Sequence, residues 1–269
     1  MADGCDGIAL LGTTGEANSF SISERRTLLE AAVAAGLDPD QLLPGTGLCA
    51  LSDTIELTRH ALSLGVTKVV ILPPFYYKNV TEDGVYDCYV RIIEAIADPR
   101  LQVILYHIPQ MSAVPIGLTL IERLIKAYPQ TIAGIKDSAG DLCNMQTMLH
   151  SFPGFSILAG ADPLLKPLLE AGGHGCITAT SNLVGRQLAT VFRHFSDPSK
   201  ARAVDAAQRR ITAVRNISNR FVQIPSIKAM IATRYGDPAW ENVRPPLVKI
   251  RPDQRAELEA AMTEIGVHD

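Results

Sequence analysis

The chemistry legible in this sequence starts at Lys136. In the segment TIAGIKDSAG, Ile132, Gly134 and Lys136 alternate to one face of a strand, and Ala133, Ile135 and Asp137 to the other. An ammonium carried into an apolar interior is costly unless it is paired or loses its charge. Burial favours the neutral amine, which is a nucleophile towards ketones and aldehydes. The competing role is a lysine at a strand end that reaches for water or pairs with Asp137. Tyr106, in VILYHIP, ends the preceding strand-like run. One βα unit separates the two residues, so the two strand ends are expected side by side. The phenol is then either a proton relay for imine chemistry or a core tyrosine bonded to a backbone carbonyl. His107 alternates to the opposite face and reads as structural.

Other segments supply candidates for holding a substrate. In GTTGE (12–16), Gly12 and Gly15 permit a tight turn. The hydroxyls of Thr13 and Thr14, with nearby N–H groups, could cradle a carboxylate; a plain capping turn is the alternative. Phe75, Tyr76 and Tyr77 cluster after another strand, where one hydroxyl could reach a site and the others pack or meet a partner. Asp162 in LAGADP is either a helix N-cap or a hydrogen-bond acceptor for a polyol, and Gly160 permits close approach of a ligand. The last strand adds Ile177 and the hydroxyls of ITATSN (177–182) to the substrate wall. The histidines are scattered, with no H-x-x-E or H-E-x-x-H arrangement, so no metal site is expected.

These residues need a scaffold that brings many strand ends together. Seven short β-branched runs (7–12, 41–47, 68–74, 102–108, 131–137, 155–160 and 175–180) alternate with helical patterns near 21–35, 53–64, 82–97, 119–127, 141–150 and 163–171. Ser23 and Asp53 are the expected N-caps of the first two helices. After residue 186 the pattern is helical only. Glycine-rich polar sequence follows nearly every strand, the arrangement of a (β/α) barrel whose chemistry sits at the C-terminal strand ends. The expected architecture is an α/β fold: a (β/α)8 TIM barrel over 1–185, with its final helix and a C-terminal helical extension over 186–269 packed as one domain. A closed barrel needs eight strands, so the first βα unit is read as missing from this sequence.

Composition narrows the function classes. The 269 residues are 47% hydrophobic with 25 basic and 28 acidic side chains, which excludes a disordered chain and a general nucleic-acid surface. Five widely spaced cysteines form no metal-ligand motif and suit a reducing compartment. No run is long and apolar enough to span a bilayer, and the N-terminus has no signal-peptide pattern, so a cytoplasmic protein is expected.

With Lys136, Tyr106 and GTTGE assembled, the chain resembles the dihydrodipicolinate synthase and N-acetylneuraminate lyase family of class I aldolases. The resemblance covers essentially the whole chain through GTTGE, PPFYY (73–77), YHIP (106–109), GIKDS (134–138), LAGAD (158–162) and GGHGCITATSN (172–182). It implies that Lys136 forms a Schiff base with pyruvate or another 2-oxo acid and that Tyr106 shuttles protons. Thr13 and Thr14 would bind the substrate carboxylate and link to the tyrosine, which puts Thr14 among the catalytic residues. Tyr77 would reach across a dimer interface, within a homodimer or a homotetramer built from tight dimers. No metal or organic cofactor is implied.

Two departures bear on substrate. Synthases of the lysine pathway usually carry an arginine five residues after the tyrosine, where this chain has Met111. The glutamate that often follows the aspartate of sialic acid lyase is Pro163 here. The resemblance therefore points to reversible cleavage of a 2-keto-3-deoxy sugar acid, or a related 4-hydroxy-2-oxo acid, to pyruvate and an aldehyde. The alternatives are 4-hydroxy-tetrahydrodipicolinate synthase, a keto-deoxy sugar acid dehydratase, and a barrel without activity.

Overall fold

The computed structural model describes residues 1–266. The chain forms two compact units: residues 6–160 with 171–174, and residues 1–5 with 161–170 and 175–266. In the first, four parallel strands lie in chain order: β1 (Lys68–Ile71), β2 (Gln102–His107), β3 (Ile132–Asp137) and β4 (Ser156–Ala159). Helices alternate with them: α1 (Ile22–Ala34), α2 (Leu51–Ser63), α3 (Glu82–Ile96), the single turn α4 (Pro109–Ser112), α5 (Leu118–Ala127) and α6 (Leu142–Ser151). The second unit holds α7 (Leu165–Glu170), the two-residue strand β5 (Gly175–Cys176), α8 (Ser181–His194), α9 (Ala201–Ser218), α10 (Gln223–Tyr235) and α11 (Pro252–Glu264). Its core packs Val191, Ile211, Val214, Met230 and Met262, all essentially solvent-free.

Two expected strands are thinner than the sequence implies. Segments 7–12 and 41–47 reduce to isolated parallel bridges, Ile8 to Leu42 and Gly45 to Val70. Pro44 has no N–H to give to a ladder, and Leu11 turns into the left-handed region at φ 56°. The segments are still tied in by Gly45 N–H to the Leu10 carbonyl and Val70 N–H to the Pro44 carbonyl. Gly45 is required where it stands, because a Cβ there would lie 2.3 Å from the Leu11 oxygen. The last expected strand, 175–180, shortens to Gly175–Cys176.

The helix starts correct two expected caps. Ser21, not Ser23, caps α1, through a reciprocal box with Glu24, because the S-x-x-E spacing begins at residue 21. Helix α2 begins at Leu51, so Asp53 lies in its first turn, where its charge suits the positive helix end.

Strand pairing decides which side chains meet. Between β2 and β3 the register slips by one residue: Val103 pairs with Ile132, but Ile104 pairs with Gly134. The extra residue, Ala133, changes the expected faces. Ile132 is buried on the helix-covered side with Val103, Leu105, Ile135 and Ile157, whereas Ala133 joins Val70, Ile104, Tyr106 and Ile108 on the inner face. Beyond the bulge, Tyr106 pairs with Lys136 and His107 with Asp137. At the end of β4, Gly160 donates its N–H to the Asp137 carbonyl. A Cβ there would fall 1.9 Å from the Ser138 Oγ, so the close approach of Ser138 requires a glycine at this position. Gly160→Ala is expected to destabilise the fold by about 1–3 kcal/mol through overpacking, measured as a lower urea midpoint at unchanged m.

Candidate active site

The inner face of β2 and β3 carries the chemical pair. Lys136 Nζ stands 4.2 Å from the centroid of the Tyr106 ring, over its aromatic face. Tyr106 is buried, and its hydroxyl lies 3.2 Å from Thr13 Oγ1, so a proton can pass between phenol and threonine. Register puts the two strand residues side by side, and the turn after the first expected strand supplies the third.

That turn is held in uncommon backbone conformations. Leu11 and Glu16 both take positive φ, at 56° and 55°, which costs a residue with a Cβ about 1–3 kcal/mol. The turn closes on itself through Glu16 N–H to the Thr13 carbonyl and Ala17 N–H to the Gly12 carbonyl. Both bonds keep Thr13 facing Tyr106.

A narrow pocket in this unit is lined by Thr13, Asn18, Arg25, Gly47, Tyr106 and Lys136, among others. Thr14 is half-buried in the same turn but takes no part in that lining. Tyr77 is 75% exposed, its ring edge-on to Tyr76 at 5.4 Å, and Met111 is 62% exposed on α4; neither lines the pocket. A broader groove on the outer helices, around Arg26, Glu56, Arg59 and His60, contains none of the candidate residues, and Arg26 and His60 there are already paired with Glu56 and Glu30.

Asn18 and Arg25 were not among the residues singled out from sequence. Arg25 carried a signal all the same: it stands four residues before Leu29, and these two positions form the buried face of α1.

On the opposite face, His107 and Asp137 form a buried pair. His107 Nδ1 accepts the Ile116 N–H, while Asp137 accepts from the Ala139 N–H and from Asn144 Nδ2. Burial holds the histidine pKa below its usual value, partly offset by the carboxylate, and burial raises that of Asp137. An Nδ1 that accepts a backbone N–H carries no proton, so the geometry also favours the neutral ring.

The second unit contains Asp162 and Ile177. Ala161, not Asp162, is the N-cap of the helical turn Asp162–Leu164. The Asp162 side chain is fully buried, with Oδ2 3.2 Å from Arg215 Nη1 and, among the described residues, no hydrogen-bond partner for Oδ1. The hydroxyls of Thr178 and Thr180 are likewise buried and unpartnered, and Ile177 is half-buried.

Comparison with known proteins assigns the chain to a family. The dihydrodipicolinate synthetase family matches residues 1–265. The chain belongs to that family. Family membership makes it a class I aldolase or lyase that works through a Schiff base with pyruvate. Among relatives, an uncharacterized DapA-like lyase of Chloroflexus aurantiacus is 37% identical over 98% of this chain and 87% of its own length. A 4-hydroxy-tetrahydrodipicolinate synthase of Listeria welshimeri is 29% identical over 97% of this chain and 87% of the relative. The crystal structure of dihydrodipicolinate synthase from Agrobacterium tumefaciens is 28% identical and superposes with a TM-score of 0.89, covering 98% of this chain and 88% of that one. The α/β fold with parallel strands flanked by helices is thus that of the family. Among the described residues, no helix is long and apolar enough to cross a membrane.

Two measurements probe this arrangement. Tyr106→Phe is expected to slow exchange of the pyruvate methyl protons into deuterated water by about 100-fold or more, and Thr13→Val by about tenfold. If the two hydroxyls act as one relay, the double variant is no slower than Tyr106→Phe alone. The depressed pKa of His107 means that, as pH falls through 6.5, the unfolded chain takes up a proton the folded chain refuses. Stability contributed by this residue is therefore complete above pH 6.5 and declines below it. His107→Asn should flatten that acid limb in denaturant titrations between pH 7.5 and 5, whereas an unchanged slope would assign the limb to other groups.

Proposed function

We propose that Lys136 is the Schiff-base lysine and Tyr106 its proton relay. The observation that carries this is the Lys136 amine standing over the ring of a tyrosine whose hydroxyl reaches Thr13. Lys136 Nζ adds to the C2 carbonyl of pyruvate, Tyr106 moves protons as the carbinolamine loses water, and the resulting iminium draws electrons from C3. Loss of a C3 proton gives an enamine that attacks an aldehyde; the reverse sequence cleaves the C3–C4 bond. Thr13 holds both the phenol and the substrate carboxylate, with Thr14 shaping the same turn. The exposed pair Tyr76 and Tyr77 supports an association of two copies on this face.

For the aldehyde, the named relatives favour aspartate semialdehyde, and so a 4-hydroxy-tetrahydrodipicolinate synthase. The buried pairing of Asp162 with Arg215 adds weight, because a carboxylate so engaged is a poor holder of sugar hydroxyls. Met111 favours the second reading, cleavage of a 2-keto-3-deoxy sugar acid. It puts no cation where synthases usually place an arginine, and a thioether cannot replace a guanidinium–carboxylate pair.

Intact-mass analysis after pyruvate and borohydride is expected to show one pyruvyl adduct on the wild type and none on Lys136→Ala. No adduct on folded wild type would sink the Schiff-base assignment. Initial rates with pyruvate plus aspartate semialdehyde, set against pyruvate release from several 2-keto-3-deoxy sugar acids, then choose the aldehyde. A preference of about 100-fold for either is the scale set by one buried charged contact.

A further inference from the structure

Arg25 is the unexplained charge in the pocket. It lies in the first turns of α1 and is only 1% exposed. Its Nε and Nη2 both donate to the Ala17 carbonyl, at 2.9 and 2.5 Å, and Nη2 also reaches Asn18 Oδ1 at 3.3 Å. Among the described residues it has no carboxylate partner, whereas the neighbouring Arg26 pairs with Glu56 and the partly buried Arg215 with Asp162. A carbonyl and an amide oxygen accept from its Nε and Nη2 but leave its positive charge without a carboxylate in a low-dielectric interior. That charge lines the same narrow pocket as Thr13, Tyr106 and Lys136.

Such an arrangement suits an interior that receives an anion during its working cycle. A 2-oxo acid brings a carboxylate beside the carbonyl that Lys136 attacks, and Thr13 stands ready to donate to it. We propose that Arg25 is the buried counter-charge for that carboxylate, and a determinant of selectivity for 2-oxo acids over neutral carbonyl compounds. This rests on the Schiff-base reading of Lys136. Arg25 acts through its field and by bracing Ala17 and Asn18 at the exit of the GTTGE turn. It is a positioning residue and does not react with the substrate.

The test compares pyruvate with pyruvamide, a neutral carbonyl compound of nearly the same shape, in borohydride trapping at matched concentrations. Arg25→Gln, which can still donate to Ala17 but carries no charge, is expected to lower pyruvate adduct formation by about tenfold or more. Pyruvamide trapping should change by less than about twofold, and Arg25→Lys should restore most of the preference for pyruvate. Equal losses with both compounds would reduce Arg25 to a structural brace and overturn the proposal, as would no loss with either. Should Arg25→Gln fail to fold, Arg25→Met and Arg25→Lys are judged by the same ratio. The pyruvate-induced rise in Tm in a Lys136→Ala background reads carboxylate binding without imine formation. If Arg25→Gln leaves that rise intact, the proposal fails; if it abolishes the rise, the proposal stands whether or not wild-type Lys136 is trapped.

Discussion

The lateral pairing of Tyr106 with Lys136 is the constraint on which the rest of the site depends. Two parallel strands hold these residues side by side, so the amine rests on the ring and the phenol hydroxyl is left pointing to Thr13. A loop could not hold an amine 4.2 Å from a ring centroid with comparable economy, because loop backbones carry more freedom than a paired strand. The bulge at Ala133 sets this register. Without it the residues facing one another across β2 and β3 would differ by one, and a slip of one residue turns every side chain to the other face.

The turn that carries Thr13 complements this rigid pair with stored strain. Two residues with side chains, Leu11 and Glu16, sit in the left-handed region, and the chain tolerates them because hydrogen bonds, a close glycine crossing and Arg25 over-determine the turn. Strain of this kind persists where a geometry must be held before substrate arrives. Helix α1 brings the buried Arg25 against the exit of this turn, where it donates to the Ala17 carbonyl and lines the same pocket.

Much of this was legible in the sequence, for identifiable reasons. Lys136 and Tyr106 announced themselves because polar groups at the ends of apolar strands are costly and therefore informative. Periodicity located α1, α2, α3, α5 and α6 to within a few residues, but not the single turn α4, and α8 begins at Ser181, ahead of the helical tail expected after residue 186. The first two expected strands hid their weakness because Pro44 and a left-handed Leu11 break a ladder that hydrophobic pattern alone supports. Ile132 was placed on the wrong face because a bulge leaves no mark in composition. Asp162 found a partner 53 residues away, beyond the reach of any local rule, and the cap and polyol roles drawn from its neighbours did not foresee Arg215. Gly160 carries a packing demand that no local rule shows, the close approach of Ser138.

The two residue pairs at the ends of β2 and β3 point to opposite sides of the sheet. One peptide unit separates an amine and phenol facing the pocket from an imidazole and carboxylate facing the helices. The ends of these strands thus work as a partition, with the pocket on one side and helix packing on the other. Substitutions that retune the pocket side need not disturb the packing behind it.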